Sequence, residues 1–145
     1  MTHTPSTVAR GVGQAALGAV LLTAGTAHLT TQRQEFQAQV PSWFPVDADL
    51  VVVASGIVEL SLGAALLALW KQPARARLGI VVALFFVVIF PGNIAQFLEH
   101  QDGFGLDTDL KRGVRLIFQP LLVLWALWAA SSWAPIRRAR AADPQ

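Results

Sequence analysis

Ala54-Ser55-Gly56-Ile57-Val58-Glu59-Leu60-Ser61-Leu62-Gly63 places one carboxyl group near the middle of an apolar run that extends over residues 50–70. A run of this length is long enough to cross the hydrocarbon core of a bilayer, which takes about 20 apolar residues in helical form. A lone acid near its centre is costly unless it is neutralised or paired. Glu59 therefore needs partners, and the rest of the chain is read for residues that could supply them.

The bulk composition agrees with a membrane protein. Of 145 residues, 54% are hydrophobic and 14% charged, which suits one small integral membrane unit and leaves no room for a second domain. The formal net charge is +2, but most Lys and Arg sit beside the ends of apolar runs and form no surface stripe, so nucleic acid is not an expected partner. The basic residues are a topology signal. There is no Cys, which excludes a disulfide, a CxxC redox pair and thiolate metal ligation. Any redox role needs a cofactor or a partner.

Four apolar runs are expected to be membrane-spanning helices, over residues 11–29, 50–70, 78–98 and 114–133. They form one all-α, four-helix membrane domain at 11–134, between a polar N-terminus at 1–10 and a basic tail at 135–145. The first run is longer than the core of a usual signal peptide and no A-x-A site follows it, so it is read as an uncleaved span. Gly11, Gly18 and Gly25 recur along it every seven residues, with Ala15 between the first two, as a small-residue stripe for close helix packing. His28 continues that face.

The first connection carries Gln32, Arg33, Glu35, Gln37 and Gln39, and then Val40-Pro41-Ser42-Trp43-Phe44-Pro45. The two prolines disfavour continuous helix and the aromatic pair suits the headgroup region, so an interfacial turn is expected, with Asp47 or Asp49 capping the second helix. Ser55, Gly56, Glu59 and Gly63 share one face of that second helix. In the third run Pro91 precedes Asn93 by two residues and leaves the carbonyl of Val87 without its helical donor. The second long connection, 99–113, is acidic, but its spacing is not that of a calcium loop. No metal site is expected. In the fourth run Arg115 and Gln119 lie one turn apart, with Pro120 directly after.

Lys and Arg counts set the orientation. One side of the membrane receives Arg10, Lys71, Arg75, Arg77, Arg137, Arg138 and Arg140, the other Arg33, Lys111, Arg112 and Arg115. The excess predicts both termini in the cytoplasm and the two long connections outside. With a rise of about 1.5 Å per residue, Glu59 falls roughly 13 Å below the outer edge, Asn93 and Gln119 roughly 7 Å, and His28 and Arg115 within about 2 Å. Polar groups from all four helices thus share the outer half, which predicts an outward-facing pocket. Glu59 is expected to approach Arg115, with Asn93 or Gln119 bridging the gap. A buried ionic network can equally serve only to fix helix register, and that reading stays open.

Gly25-Thr26-Ala27-His28, Val40-Pro41-Ser42-Trp43-Phe44-Pro45, Ser55-Gly56-Ile57-Val58-Glu59, Phe90-Pro91-Gly92-Asn93-Ile94 and Arg115-Leu116-Ile117-Phe118-Gln119 occur in that order. Together they resemble the DoxX family of small four-helix bacterial membrane proteins, over nearly the whole chain. Two positions depart from its pattern: Gly92 stands where an alanine is usual, and Phe118 where a proline is usual. The resemblance implies a multi-pass protein of the bacterial cell membrane, linked to a quinone-dependent redox system. On that reading the pocket takes a quinone head group, Glu59 is the proton carrier, and His28, Ser55, Asn93, Arg115 and Gln119 bind the ligand. The partners are then the lipid bilayer, a quinone, and another membrane or soluble redox protein. The alternative is a non-catalytic membrane chaperone or complex-assembly subunit.

Overall fold

The structure, a computed structural model, describes residues 5–130, with side chains from residue 7. Residues 1–4 of the N-terminal segment, the end of the fourth span and the basic tail at 135–145 lie outside the described residues.

The chain forms α1 (Pro5–Leu29), a short α2 (Arg33–Phe36) continued by a 3-10 turn (Gln37–Gln39), α3 (Ala48–Ala68), α4 (Ala74–Leu98) and α5 (Asp109–Ala129). Helices α1, α3, α4 and α5 are each long and apolar enough to cross a membrane, so the protein is a multi-pass, all-helical membrane bundle. The spans begin earlier than the apolar windows; α5, for example, starts at Asp109 where 114 was expected. Thr108 caps it there, its hydroxyl accepting from the Lys111 amide at 3.3 Å. Apolar windows mark the lipid-facing part of a helix, whereas backbone hydrogen bonding runs on into polar residues once a cap satisfies the first amides.

The four long helices associate as two pairs, α1 with α3 and α4 with α5, and the pairs touch each other much less. Glycines explain the first pair. A Cβ on Gly25 would lie 2.8 Å from the Gly56 carbonyl, and one on Gly63 would lie 2.9 Å from that of Gly18. The seven-residue spacing on both antiparallel helices brings the two backbones together twice, as the glycine stripe of α1 predicted.

One end of the bundle carries the α3–α4 turn and the start of α1; the other carries the two long connections. At the short-turn end Leu17, Leu21, Leu66, Leu78, Val82, Phe86 and Ala126 form a closed apolar core. Helix ends are satisfied there by neighbouring side chains. The Gln14 amide donates to the Leu66 and Leu69 carbonyls at 2.7 and 3.0 Å, and Arg75 donates to the Ala129 carbonyl at 2.7 Å. The Trp125 indole N–H donates to the Gly13 carbonyl at 2.9 Å, holding α5 against α1.

At the opposite end the two connections cross-link. The Phe104 amide donates to Glu35 at 2.7 Å, and Ser42 donates to Glu99 through both its amide and its hydroxyl. The Gln39 carbonyl rests on Gly92, where a Cβ would lie only 2.3 Å away. Alanine cannot stand at 92 with the connection in this position, which accounts physically for the glycine. Asp47 caps α3 by accepting from the Leu50 amide at 3.1 Å, and Asp49 pairs with Arg33. The Phe44 amide closes a turn on the Pro41 carbonyl at 3.0 Å, leaving Trp43 70% exposed.

Candidate functional site

The six residues singled out in the sequence fall into two clusters and one outlier. His28 and Glu59 make the first. Both are almost fully buried, and Nδ1 of His28 lies 2.9 Å from Oε2 of Glu59. Gly56 makes room for this approach, since the Cβ of His28 occupies the space a side chain would need at 56. The same Nδ1 lies 2.8 Å from the Ala24 carbonyl, one turn back on α1. A carbonyl only accepts, so a close Nδ1 must carry the proton, and the ring is aligned to give it to Ala24. Oε2 of Glu59 is left beside the ring with no hydrogen-bond donor.

The second cluster joins α4 to α5. The Asn93 amide donates to Oε1 of Gln119 at 3.1 Å, and the Gln119 amide donates to the Phe86 carbonyl at 2.7 Å. That carbonyl neighbours the one at Val87, which Pro91 leaves without a donor within a helix that otherwise continues. Arg115 reaches the same Oε1 over a long 3.5 Å contact. The expected tie between Glu59 and Arg115 is not formed. Glu59 lies against His28 because Gly25 and Gly56 hold α1 and α3 in direct backbone contact, while Arg115 belongs to the other helix pair. Ser55, half-buried on α3, makes no side-chain hydrogen bond among the described residues.

Between α1 and α5, toward the long-connection end, the helix pairs part and leave an open cleft of about 600 Å³. Ala19, Val20, Thr23, Ala24 and Ala27 form its α1 wall, and Arg115 faces them from α5. Gln32, Phe36, Gln39 and Phe104 from the two connections cover it. Of the sequence-predicted site residues only Arg115 lines this cleft. His28 stands behind Phe36, whose ring stacks on it at a centroid distance of 3.3 Å, and Phe104 meets Phe36 edge-on at 4.5 Å. Glu59 lies behind His28.

Sequence reasoning missed several of these positions. Phe36 and Phe104 carry no local signal, because the connections that bring them together are 69 residues apart at their Glu35–Phe104 link. Arg112 read as a flanking charge but is 5% exposed, held by Asp102, by Asp109 at 2.8 Å and by the Gln101 carbonyl at 3.2 Å. Gln14 did carry a signal. It lies three residues after Gly11 and four before Gly18, on the very stripe the glycines define. Around the site, the exposed ion pairs shift the ordinary titrations. The hydrogen bond to Asp49 raises the Arg33 guanidinium, and the one from Lys111 holds the Asp107 carboxyl below its usual range.

Fold and site together define a small four-helix membrane protein whose helix pairs separate at one end around a partly polar cleft. Within that class the chain belongs to DUF8561, a domain-of-unknown-function family whose model matches residues 17–130. No curated protein and no solved structure matches it.

Proposed function

We propose that this protein is a membrane-embedded ligand-binding subunit that takes an amphiphile from the bilayer into the α1–α5 cleft. The observation that carries the reading is the cleft itself. It combines a wall of small side chains, two aromatic rings and one guanidinium, within the size range of small-molecule sites, apart from the closed apolar core at the other end. Ala19, Val20 and Thr23 are exposed along the α1 wall of the cleft, so in a bilayer a ligand with an apolar tail would have a lateral way in.

In its specific form the proposal follows the DoxX resemblance: a subunit of the bacterial cell membrane, termini in the cytoplasm and cleft facing outward, serving a quinone-linked redox system. A quinone head ring would pack against Phe36 and Phe104, with a carbonyl oxygen accepting from Arg115. Glu59 would then act from behind Phe36, through His28, as a proton reserve and not as a ligand contact. The alternative is an assembly subunit without a small molecule, and the exposed Trp43-Phe44 turn favours it as a contact for another protein.

Mass analysis of lipids extracted from gently purified protein, with an oxidised-minus-reduced ultraviolet difference spectrum, tests these readings. The comparison is wild type beside Ala24→Leu, which fills the cleft. A stoichiometric amphiphile lost from the folded variant is expected, and a redox-active spectrum would identify it as a quinone. Folded wild type with no bound amphiphile would overturn the reading in favour of the assembly subunit.

A further inference from the structure

Arg112 and Arg115 lie three residues apart on α5 and meet opposite fates. Arg112 is held by two carboxylates and a carbonyl. Arg115, on the cleft wall, has no acidic partner among the described residues; its one contact is the 3.5 Å approach to the neutral Gln119.

Every described acid lies with other groups, although Oε2 of Glu59 has no donor there. Glu35 accepts from Phe104, Asp47 from Leu50, and Glu99 from Ser42. Asp49 pairs with Arg33, Glu59 lies against His28, Asp107 pairs with Lys111, and Asp102 and Asp109 with Arg112. None of them makes an ion pair or hydrogen bond with Arg115. Cα–Cβ bonds on α5 tilt toward its N-terminus, so a guanidinium at 115 is set up to reach back to the water at the long-connection end. The Arg115 guanidinium approaches Gln119, one helical turn along α5, and shares the lining of the cleft with Phe36 and Phe104.

We infer that the cleft takes a single-chain lipid acid, whose carboxylate is the missing counter-charge of Arg115. This rests on the general amphiphile reading of the cleft and departs from its quinone form, since it names an anionic head group in place of a neutral one. A guanidinium in a poorly hydrated wall gains most from a planar anion that accepts two parallel N–H bonds, and a carboxylate has that shape. Neutral oxygens accept from it without cancelling its charge. The tail has one row of small residues to lie along, Ala19, Thr23 and Ala27 with Val20 beside them, which suits one chain. In a bilayer the exposed side of that row would meet lipid.

The test uses the full chain in phosphatidylcholine nanodiscs after removal of co-purified lipid, with three probes: oleate carrying a ¹³C carboxyl, oleyl alcohol and a decyl-chain quinone. Oleate is expected to bind with a displaced carboxyl resonance, and the two neutral probes roughly ten- to a hundredfold more weakly, the span given by losing charge-assisted hydrogen bonds. Arg115→Gln should bring oleate down to the level of oleyl alcohol, and Arg115→Lys should retain part of the difference. If a neutral probe binds as tightly as oleate and Ala24→Leu abolishes it, the cleft reading stands and the acid assignment falls. If no probe binds folded wild type, both fall. Should Arg115→Gln fail to fold, the comparison of oleate with oleyl alcohol on wild type decides alone.

Discussion

The two ends of this bundle solve the same problem in opposite ways. At the short-turn end, polar side chains are spent on backbone: Gln14 on the last carbonyls of α3, Arg75 on those of α5, Trp125 on Gly13. Each closes a gap between elements, and the leucine core beneath is sealed. At the long-connection end, His28, Gln119 and Arg112 also reach backbone carbonyls, but polar side chains there meet one another as well, and one faces space. His28 and Glu59 share one cluster, Asn93 and Gln119 another, and Arg115 opens onto a cleft that two cross-linked connections cover without filling. In lipid, helices gain little from apolar contact alone, so packing follows small residues and satisfied polar groups. Where α1 and α3 have paired glycines they meet backbone to backbone. Where α1 faces α5 at Arg115 nothing draws them together, and the bundle parts.

The largest effect that would break this contrast is at His28. His28→Ala removes the ring on which Phe36 stacks and leaves a cavity beside buried Glu59, at an expected loss of about 3 kcal/mol in denaturant unfolding from detergent. Adding Glu59→Gln should recover part of that loss. Glu59→Gln combined with Arg115→Gln should be additive, because the two side chains belong to different helix pairs. Coupling between Glu59 and Arg115, with none between Glu59 and His28, would reverse the assignment of clusters.

A smaller effect tests the sealed end against the open one. Gln14→Leu keeps the volume but removes the donor to two carbonyls, and thermal unfolding should show a loss of about 1–3 kcal/mol. Thr23→Leu, on the exposed cleft wall, should stay within about 0.5 kcal/mol of wild type. Equal losses at the two positions would mean that the cleft is as tightly packed as the core.

The smallest effect lies in the cover. The Lys111 hydrogen bond lowers the Asp107 carboxyl from its usual 3.8, so the folded state binds this proton less readily than the unfolded chain does. Its contribution to stability is full above that value and disappears as pH falls through the lower folded-state value. Between pH 5 and 2 wild type should therefore lose more stability than Asp107→Asn. Parallel curves would show that this ion pair does not help to hold the second connection.

Composition and the apolar runs determined, without any structure, that this chain is an all-helical membrane protein with four spans, because lipid admits few alternatives for unpaired backbone. The glycine spacing of α1 and the face shared by Gly56, Glu59 and Gly63 were equally legible, since helical periodicity places residues on a surface from local sequence alone. Which faces meet was not. Glu59 and Arg115 looked like partners by depth, but depth says nothing about the position of a helix around the bundle axis. That was decided by the Gly25–Gly56 and Gly18–Gly63 contacts, which pair α1 with α3 and give Glu59 to His28. The cleft, its cover of Phe36 and Phe104, and the need for glycine at 92 depend on segments far apart in the chain, and only their packing brings those segments together.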